Sequence, residues 1–330
     1  MTPTDTPDQT DLLEEAHRTA SDAARHARIE VVHVHDPGDA RAAAALLDEV
    51  WGRDEATGQV LTPEALTALA HSGCQVSLAR HRPGEGDVIS AAASDPGEIV
   101  AVTAAWLGRD PVTGEVTLHS HVTGVRPGRQ RQGIGRAMKW AQRAWALEHD
   151  IRTVRWTFDP LIRRNAVLNL AALGAAVVSY DVDLYGPMAD ARNHALPTDR
   201  VTAVWDLSAP RVRAAAGGRV ATPDIGALKA AGAEVALTLD DRDAPVRSAT
   251  EAPRRLIQVP SDIEVLRADR PEAALSWTHA IRETLGAGLD AGARVTGITR
   301  DGWYVLAAPG GVQELASGPR ARSGRGGAGR

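Results

Sequence analysis

The segment Gln130-Arg131-Gln132-Gly133-Ile134-Gly135-Arg136 combines the residue types of an anion site. It joins the end of a β-rich run, closing at Val125, to the clearest helical pattern in the chain. The first amides of a helix have no intrahelical partner, and they lie at the positive end of its dipole. Gly133 and Gly135 remove the Cβ atoms that would hold a diphosphate off the backbone. Arg129, Arg131 and Arg136 add mobile positive charge. Two commoner phosphate loops are excluded: no Gly-Lys-Ser/Thr follows, and a dinucleotide fingerprint needs Gly or Ala where Met138 stands. The remaining alternative is a tight turn without a ligand.

Acid–base candidates lie on either side of this loop. Before it, His119, His121 and Thr123 alternate with Ser120 and Val122, which places the first three on one strand face. A free imidazole titrates near about pH 6.5, suited to a general base at neutral pH; a hydrogen-bonded strand histidine is the alternative. Two His at this spacing would also suit a metal, but no third ligand accompanies them, so no metal is expected. After the loop, Asp159 closes a strand, where it would orient a substrate ammonium, relay a proton, or simply turn the chain with Pro160. Asn165 and Asn169, four apart, share a helix face. Cys74, on an apolar strand, reads as a small core residue.

The elements that must position these groups follow from periodicity. Strands are predicted at about 28–34, 74–79, 98–107, 116–125, 153–158, 176–184 and 200–207. Helices are predicted from Asp39, from Thr62 with Pro63 in its first turn, over Ile134 to Glu148, and over about Leu161 to Leu173 before Gly174. Residues 1–27 read as a frayed helix or disorder, 81–97 as a long loop, and 209–250 as a linker. A small C-terminal module is expected over 251–308, with a helix from Pro271 to Leu289 and a hairpin at 294–307, then a disordered Arg/Gly/Ser tail over 309–330. The fold class is α/β (α+β): a mixed, mostly antiparallel sheet flanked by helices, with a small C-terminal α/β module.

At this point the loop resembles motif A of the GNAT acetyltransferase superfamily, Q/R-x-x-G-x-G/A after a strand ending V-x-P. Gln130, Gly133 and Gly135 match the core, with Val125 and Pro127 before it, and the element order over 28–208 agrees. Trp156-Thr157-Phe158-Asp159-Pro160-Leu161 and Leu196-Pro197-Thr198-Asp199-Arg200 narrow the likeness to a poorly characterised GNAT-like family with a C-terminal extension. The resemblance implies seven strands and four helices in the 28–208 domain. It also implies that Val125 and Gln130 to Arg136 hold the pyrophosphate of acetyl-CoA or another acyl-CoA, that Asn165 and Asn169 face this cosubstrate, and that the thioester lies where two strands part. His119 stands where some members keep a catalytic Glu. The position where many members place an acidic tyrosine is Leu170, which leaves Tyr180 or Tyr185 as substitutes.

Composition bounds the rest. The chain has 330 residues, a net charge of −5 and a single cysteine, so no intramolecular disulfide or Cys-based zinc cluster is available. No run approaches the roughly 20 apolar residues of a membrane span. Neither nucleic acid nor membrane is expected as a partner, and the location is expected to be cytoplasmic. Lys139 and Lys229 are the only lysines among 37 basic residues; the arginine excess reads as codon bias. The chain therefore reads as an acyl-CoA-dependent N-acyltransferase acting on a small-molecule amine, with a homodimer as one assembly. The rival is a non-catalytic acyl-CoA-binding module, and protein acetylation is a third class.

Overall fold

The computed structural model describes residues 9–53, 58–82, 97–110, 113–186, 188, 196–219 and 222–310. Seven strands form one sheet: β1 (Ile29–His33), β2 (Gln75–His81), β3 (Ile99–Arg109), β4 (Val116–Val125), β5 (Thr153–Phe158), β6 (Ala176–Asp181) and β7 (Arg200–Asp206). Their order is β1-β2-β3-β4-β5-β7-β6. Only β4 and β5 run parallel, and they pair through Leu118↔Val154 and His119↔Arg155 alone. Beyond those two pairs the strands part, leaving a fork open toward their C-terminal ends. This is the mixed, mostly antiparallel sheet flanked by helices that the sequence predicts.

Helices cover both faces. On the front, α2 (Pro37–Trp51) is capped by Asp36, with Pro37 in its first turn and Gly52 at its left-handed end. Beside it, α3 (Pro63–His71) starts on Thr62, whose hydroxyl accepts from Ala65 N–H. Together they bury Leu46, Leu47 and Leu66 against Val76, Val102, Ala104 and Val122. On the back, α4 (Ile134–Glu148) buries Ile134, Ala137 and Met138 against Ile29, Ala79 and Ala101.

The first correction concerns residues 1–27. Residues 9–26 are not frayed but form α1 (Gln9–His26), with Leu12 and Ala16 buried; residues 1–8 lie outside the described residues. It runs antiparallel to α4: Gln9 Nε2 donates to Asp150 at 2.9 Å, while a Cβ on Gly133 would stand 3.8 Å from His26. Glu15 of α1 fixes the buried Arg143 of α4 at 3.1 Å. A helix with so little apolar surface is held by tertiary packing rather than propensity.

The expected linker over 209–250 is also corrected. It holds α6 (Pro210–Ala216), α7 (Ile225–Ala230), β8 (Glu234–Leu239) and β9 (Pro245–Arg247). With β10 (Arg254–Gln258), β11 (Arg294–Ile298) and β12 (Trp303–Ala307) these strands make a second sheet, ordered β11-β12-β10-β8-β9. Its helices are α8 (Ile263–Asp269), α9 (Pro271–Ile281) and α10 (Ala287–Asp290), the last two joined by a π-helical turn over Arg282–Gly286. That turn interrupts the single helix expected over 271–289. The expected loop at 81–97 falls mostly on residues 83–96, and the expected tail on 311–330, both outside the described residues.

The second sheet is not a detached module. Trp277, Tyr304 and Leu306 share one hydrophobic core with Trp140, Trp156 and Trp205 of the first half. Tyr304 O–H donates to Pro160 O at 2.8 Å. Two buried aspartates of the first half pair with C-terminal arginines: Asp159 with Arg267 at 2.6 Å and Asp199 with Arg282 at 2.8 Å.

Candidate functional site

The loop expected to hold an anion lies between β4 and α4. Gly133 occupies the N-cap position of α4 with φ 81°, and no side chain caps the helix. The first amides are thus left for water or a ligand. Arg131, with φ 65°, also takes the left-handed conformation, which glycine adopts far more readily. Arg131, Gln132, Gly133 and Arg136 line a cleft of about 1230 Å³ whose opposite wall is α1 and α6, with Arg213 and Arg219. Arg131, Arg136 and Arg219 carry no ion pair among the described residues. Arg129 differs from expectation: it is held by Glu98 at 2.7 Å, so its charge is not mobile. Gln130 folds back to Val125 O at 3.5 Å, a weak contact, and Val125 itself is half-buried at the strand end.

The expected face-sharing of His119, His121 and Thr123 is corrected by a β-bulge. Ala105 pairs with Ser120 and Ala104 with Val122, so His121 has no partner on β3. A bulge of this kind shifts the facing of every residue beyond it. His119 and His121 point to the front, where both stack on Trp106, at 5.2 and 4.4 Å between ring centroids. Thr123 points to the back, bonded to Thr103 at 3.1 Å. Burial, together with Lys139 and Arg155, lowers the His119 pKa below its ordinary value; burial and His119 lower that of His121. Both are therefore neutral bases further into the acid range than a free imidazole.

Trp106, which stands in no motif of its own, is the aromatic ring that both histidines share. In the β3–β4 register Trp106 stands opposite His119. Next to this group on the front face, Arg155 pairs with Asp110 at 2.6 Å and Tyr185 O–H meets Thr157 Oγ1 at 3.0 Å.

The remaining candidates are not brought to the loop. Asp159 is buried, accepting from Leu161 N–H at 2.9 Å and from Arg267. Its carboxylate is thus committed to the C-terminal half, against the expected ammonium or proton-relay role. Tyr180 donates to Asp199 at 2.7 Å, and burial with that hydrogen bond raises its pKa, so it is a poor acid for a thiolate. Asn165 lies in α5 (Arg163–Ala166), but Asn169 lies in the π-helical turn Val167–Ala172 that follows. Bonding over five residues breaks the four-residue stacking expected of them. Neither residue lines the cleft.

Behind the fork lies a group with no sequence-level warning. Lys139 of α4 is buried, and desolvation lowers its pKa to about 7. Below that pH the buried charge weakens the fold. Between about pH 7 and its ordinary value the unfolded chain binds the extra proton, so stability rises with pH across that window. Lys139→Met is expected to raise stability by about 1–4 kcal/mol at neutral pH, with the gain fading toward about pH 10. Thermal melts across pH read this directly, and a variant less stable at pH 7 would contradict it.

Among the described residues, no helix is long and apolar enough to cross a membrane. Nor, among those residues, does any group of three or more His, Cys, Asp or Glu stand ready to hold a metal ion. No protein-family model matches the chain, and no curated protein does. Solved structures do resemble it. An N-acetyltransferase from Staphylococcus aureus Mu50 is 12% identical over 54% of this chain and 97% of its own, with a TM-score of 0.37. Naa20 from Chaetomium thermophilum, bound to a bisubstrate analogue, is 19% identical over 54% and 86%, with a TM-score of 0.39. The diaminobutyrate acetyltransferase EctA from Paenibacillus lautus, solved with L-2,4-diaminobutyric acid and coenzyme A, is 18% identical over 54% and 96%, with a TM-score of 0.37. With each TM-score below 0.5 these likenesses carry no argument; the strand order and register stand by themselves.

Proposed function

We propose that this chain is an acyl-CoA-dependent N-acyltransferase that takes acetyl-CoA, or another acyl-CoA, and a small-molecule amine. The observation that carries the reading is the uncapped start of α4, at Gly133, opening on an arginine-lined cleft beside a forked β4–β5 pair. Backbone amides and unpaired guanidinium groups suit the phosphates of coenzyme A. The fork gives the acyl end a place between strands whose backbone groups are released from the ladder. Amine, cosubstrate and product need no metal.

On this reading the acceptor approaches from the front of the sheet. His119, stacked on Trp106, takes the proton that the amine loses as its nitrogen attacks the thioester carbonyl. His121 is the more exposed alternative at the same aromatic surface. Since burial holds both imidazoles neutral below about pH 6.5, the acid limb of kcat/KM is expected below that value. His119→Ala should lower kcat/KM by roughly 10²–10⁴-fold with the affinity for coenzyme A unchanged; an unaltered rate and pH profile would assign the base elsewhere.

The direct test is mass spectrometry of an amine panel incubated with acyl-CoAs, alongside calorimetry with coenzyme A. Neither binding nor transfer would sink the reading. One specific observation favours a second reading, a non-catalytic acyl-CoA-binding module: Leu170 stands where the resemblance expects an acidic tyrosine, and Tyr180 is engaged by Asp199. Tight binding of coenzyme A without turnover of any amine or peptide would select it. Transfer to peptides alone would replace the small-molecule acceptor by a protein.

A further inference from the structure

The cleft behind the start of α4 is larger than a diphosphate needs, and its charge is unevenly balanced. At about 1230 Å³ it exceeds the roughly 300–1,000 Å³ of an ordinary small-molecule pocket. The carboxylates that line it are both neutralised: Glu15 by Arg143 and Arg213, and Asp22 by Arg25. Arg18 leans on Glu14 at 3.4 Å. Three lining arginines keep no ion pair among the described residues: Arg131 and Arg136 at the loop, and Arg219 past the end of α6 on the opposite wall. Free positive charge thus stands on two sides of the cleft, on different elements.

The floor carries a second, independent sign of a ligand. Trp140 of α4 lines the cleft and is fully buried, yet its indole Nε1–H has no hydrogen-bond partner among the described residues. The ring is fixed by Trp205, 5.5 Å away between centroids, and by the Arg143 guanidinium over its face. A buried donor is costly to leave unmade, and an acceptor standing in the cleft would satisfy it. Gly133, Arg136 and Trp140 follow one another at three and four residues, along one face of α4. The uncapped amides, a free guanidinium and the unsatisfied indole therefore border the same space.

We propose that this cleft takes the 3′-phosphoadenosine half of the acyl donor, with Arg219 reading the 3′-phosphate. This rests on the reading of coenzyme A as the cosubstrate. The diphosphate lies against the amides after Gly133, with Arg131 and Arg136 beside it. From there the two halves of the donor part. The pantetheine arm runs into the β4–β5 fork, and the nucleotide runs back between α1 and α6. Coenzyme A carries a third phosphate, set off from the diphosphate by a ribose, which matches the third unpaired guanidinium on the far wall. The adenosine also brings acceptors, ring nitrogens and ribose oxygens, for the Trp140 N–H, which can only donate. The donor is therefore a free coenzyme A thioester. A thioester on phosphopantetheine alone, as on a carrier protein, fills the fork but leaves Arg219 and Trp140 without partners. The amine still attacks the thioester directly, and no group of the cleft enters the chemistry.

Calorimetry of the full-length protein with coenzyme A, dephospho-coenzyme A and phosphopantetheine gives the test. The 3′-phosphate should strengthen binding by about 10–100-fold, the worth of hydrogen bonds to a charged group, and phosphopantetheine should bind more weakly than either nucleotide. Arg219→Gln should bring coenzyme A down to the affinity of dephospho-coenzyme A, whose own binding stays unchanged and shows that the variant folds. In ¹⁵N-labelled protein the Trp140 indole N–H resonance, assigned by its loss in Trp140→Phe, should shift on addition of adenosine 3′,5′-bisphosphate. Equal affinity of the wild type for coenzyme A and dephospho-coenzyme A overturns the proposal and leaves acyl transfer standing. So does an unchanged preference in Arg219→Gln, or an indole resonance that stays in place. If coenzyme A itself does not bind, the underlying reading fails with it.

Discussion

Arg267→Met should destabilise the protein by about 3–5 kcal/mol, the cost of leaving one buried charge without its partner. Arg267 and Asp159 are 4% and 6% exposed in their side chains and meet at 2.6 Å. Removing the guanidinium strands a carboxylate in the shared core of the two halves. Arg200 is 3.9 Å from Asp159, too far for a direct hydrogen bond to take over. Adding Asp159→Asn to the same protein removes the stranded charge, so much of the loss should return. Denaturant melts of the two single variants and the double variant form the cycle. Additive losses would show that the pair does not act as a unit. A neutral Arg267→Met would show that the halves are held by apolar contact alone.

The second large effect concerns the loop proposed to hold coenzyme A and is designed to leave the fold alone. Gly133 has φ 81°, and a Cβ there would meet only His26 and Ala27 at 3.8 and 4.0 Å, ordinary contact distances. Asparagine tolerates this left-handed conformation better than other residues with a Cβ, so Gly133→Asn should cost less than about 1 kcal/mol of stability. Its side chain, however, projects beside the uncapped amides and competes for them as an N-cap. Affinity for coenzyme A is expected to fall by about 100-fold, near 2.8 kcal/mol. Unchanged calorimetric affinity in a fully folded variant would remove the loop from the binding site.

How far these features can be read in the residues themselves differs from element to element. Strand β4 and helix α4 are found to their end residues because Arg126-Pro127 closes the strand and an apolar period from Ile134 to Trp145 marks the helix. The bulge at His121 gives no such signal, since nothing in Ser120-His121-Val122 marks a residue without a partner; the register of β3 creates it. Helix α1 is legible only as a frayed helix because just Leu12 and Ala16 are buried, too little apolar contrast to mark a packed face. Strand β8 escapes because its main partner, β10, follows after an intervening strand, and an Ala/Gly/Asp-rich stretch carries no local hint of that pairing. Asp159 and Asp199 look like turn residues until their arginine partners, from α8 and the π-helical turn after α9, come into place. The site divides the same way: the anion loop is local and legible, whereas the Trp106 stack and the far wall of the cleft exist only once strands and helices pack.

The bulge in β4 gives one strand two unlike sides. Before it, the imidazole of His119 and the hydroxyl of Ser120 face opposite ways from adjacent residues; after it, the alternation resumes out of phase. On the proposed reading the sheet is a thin wall between the arginine-lined cleft behind and the Trp106 surface in front. Donor and acceptor would enter by different doors and meet only in the fork. Neither would have to leave for the other to arrive, and each entrance can be reshaped by mutation without narrowing the other.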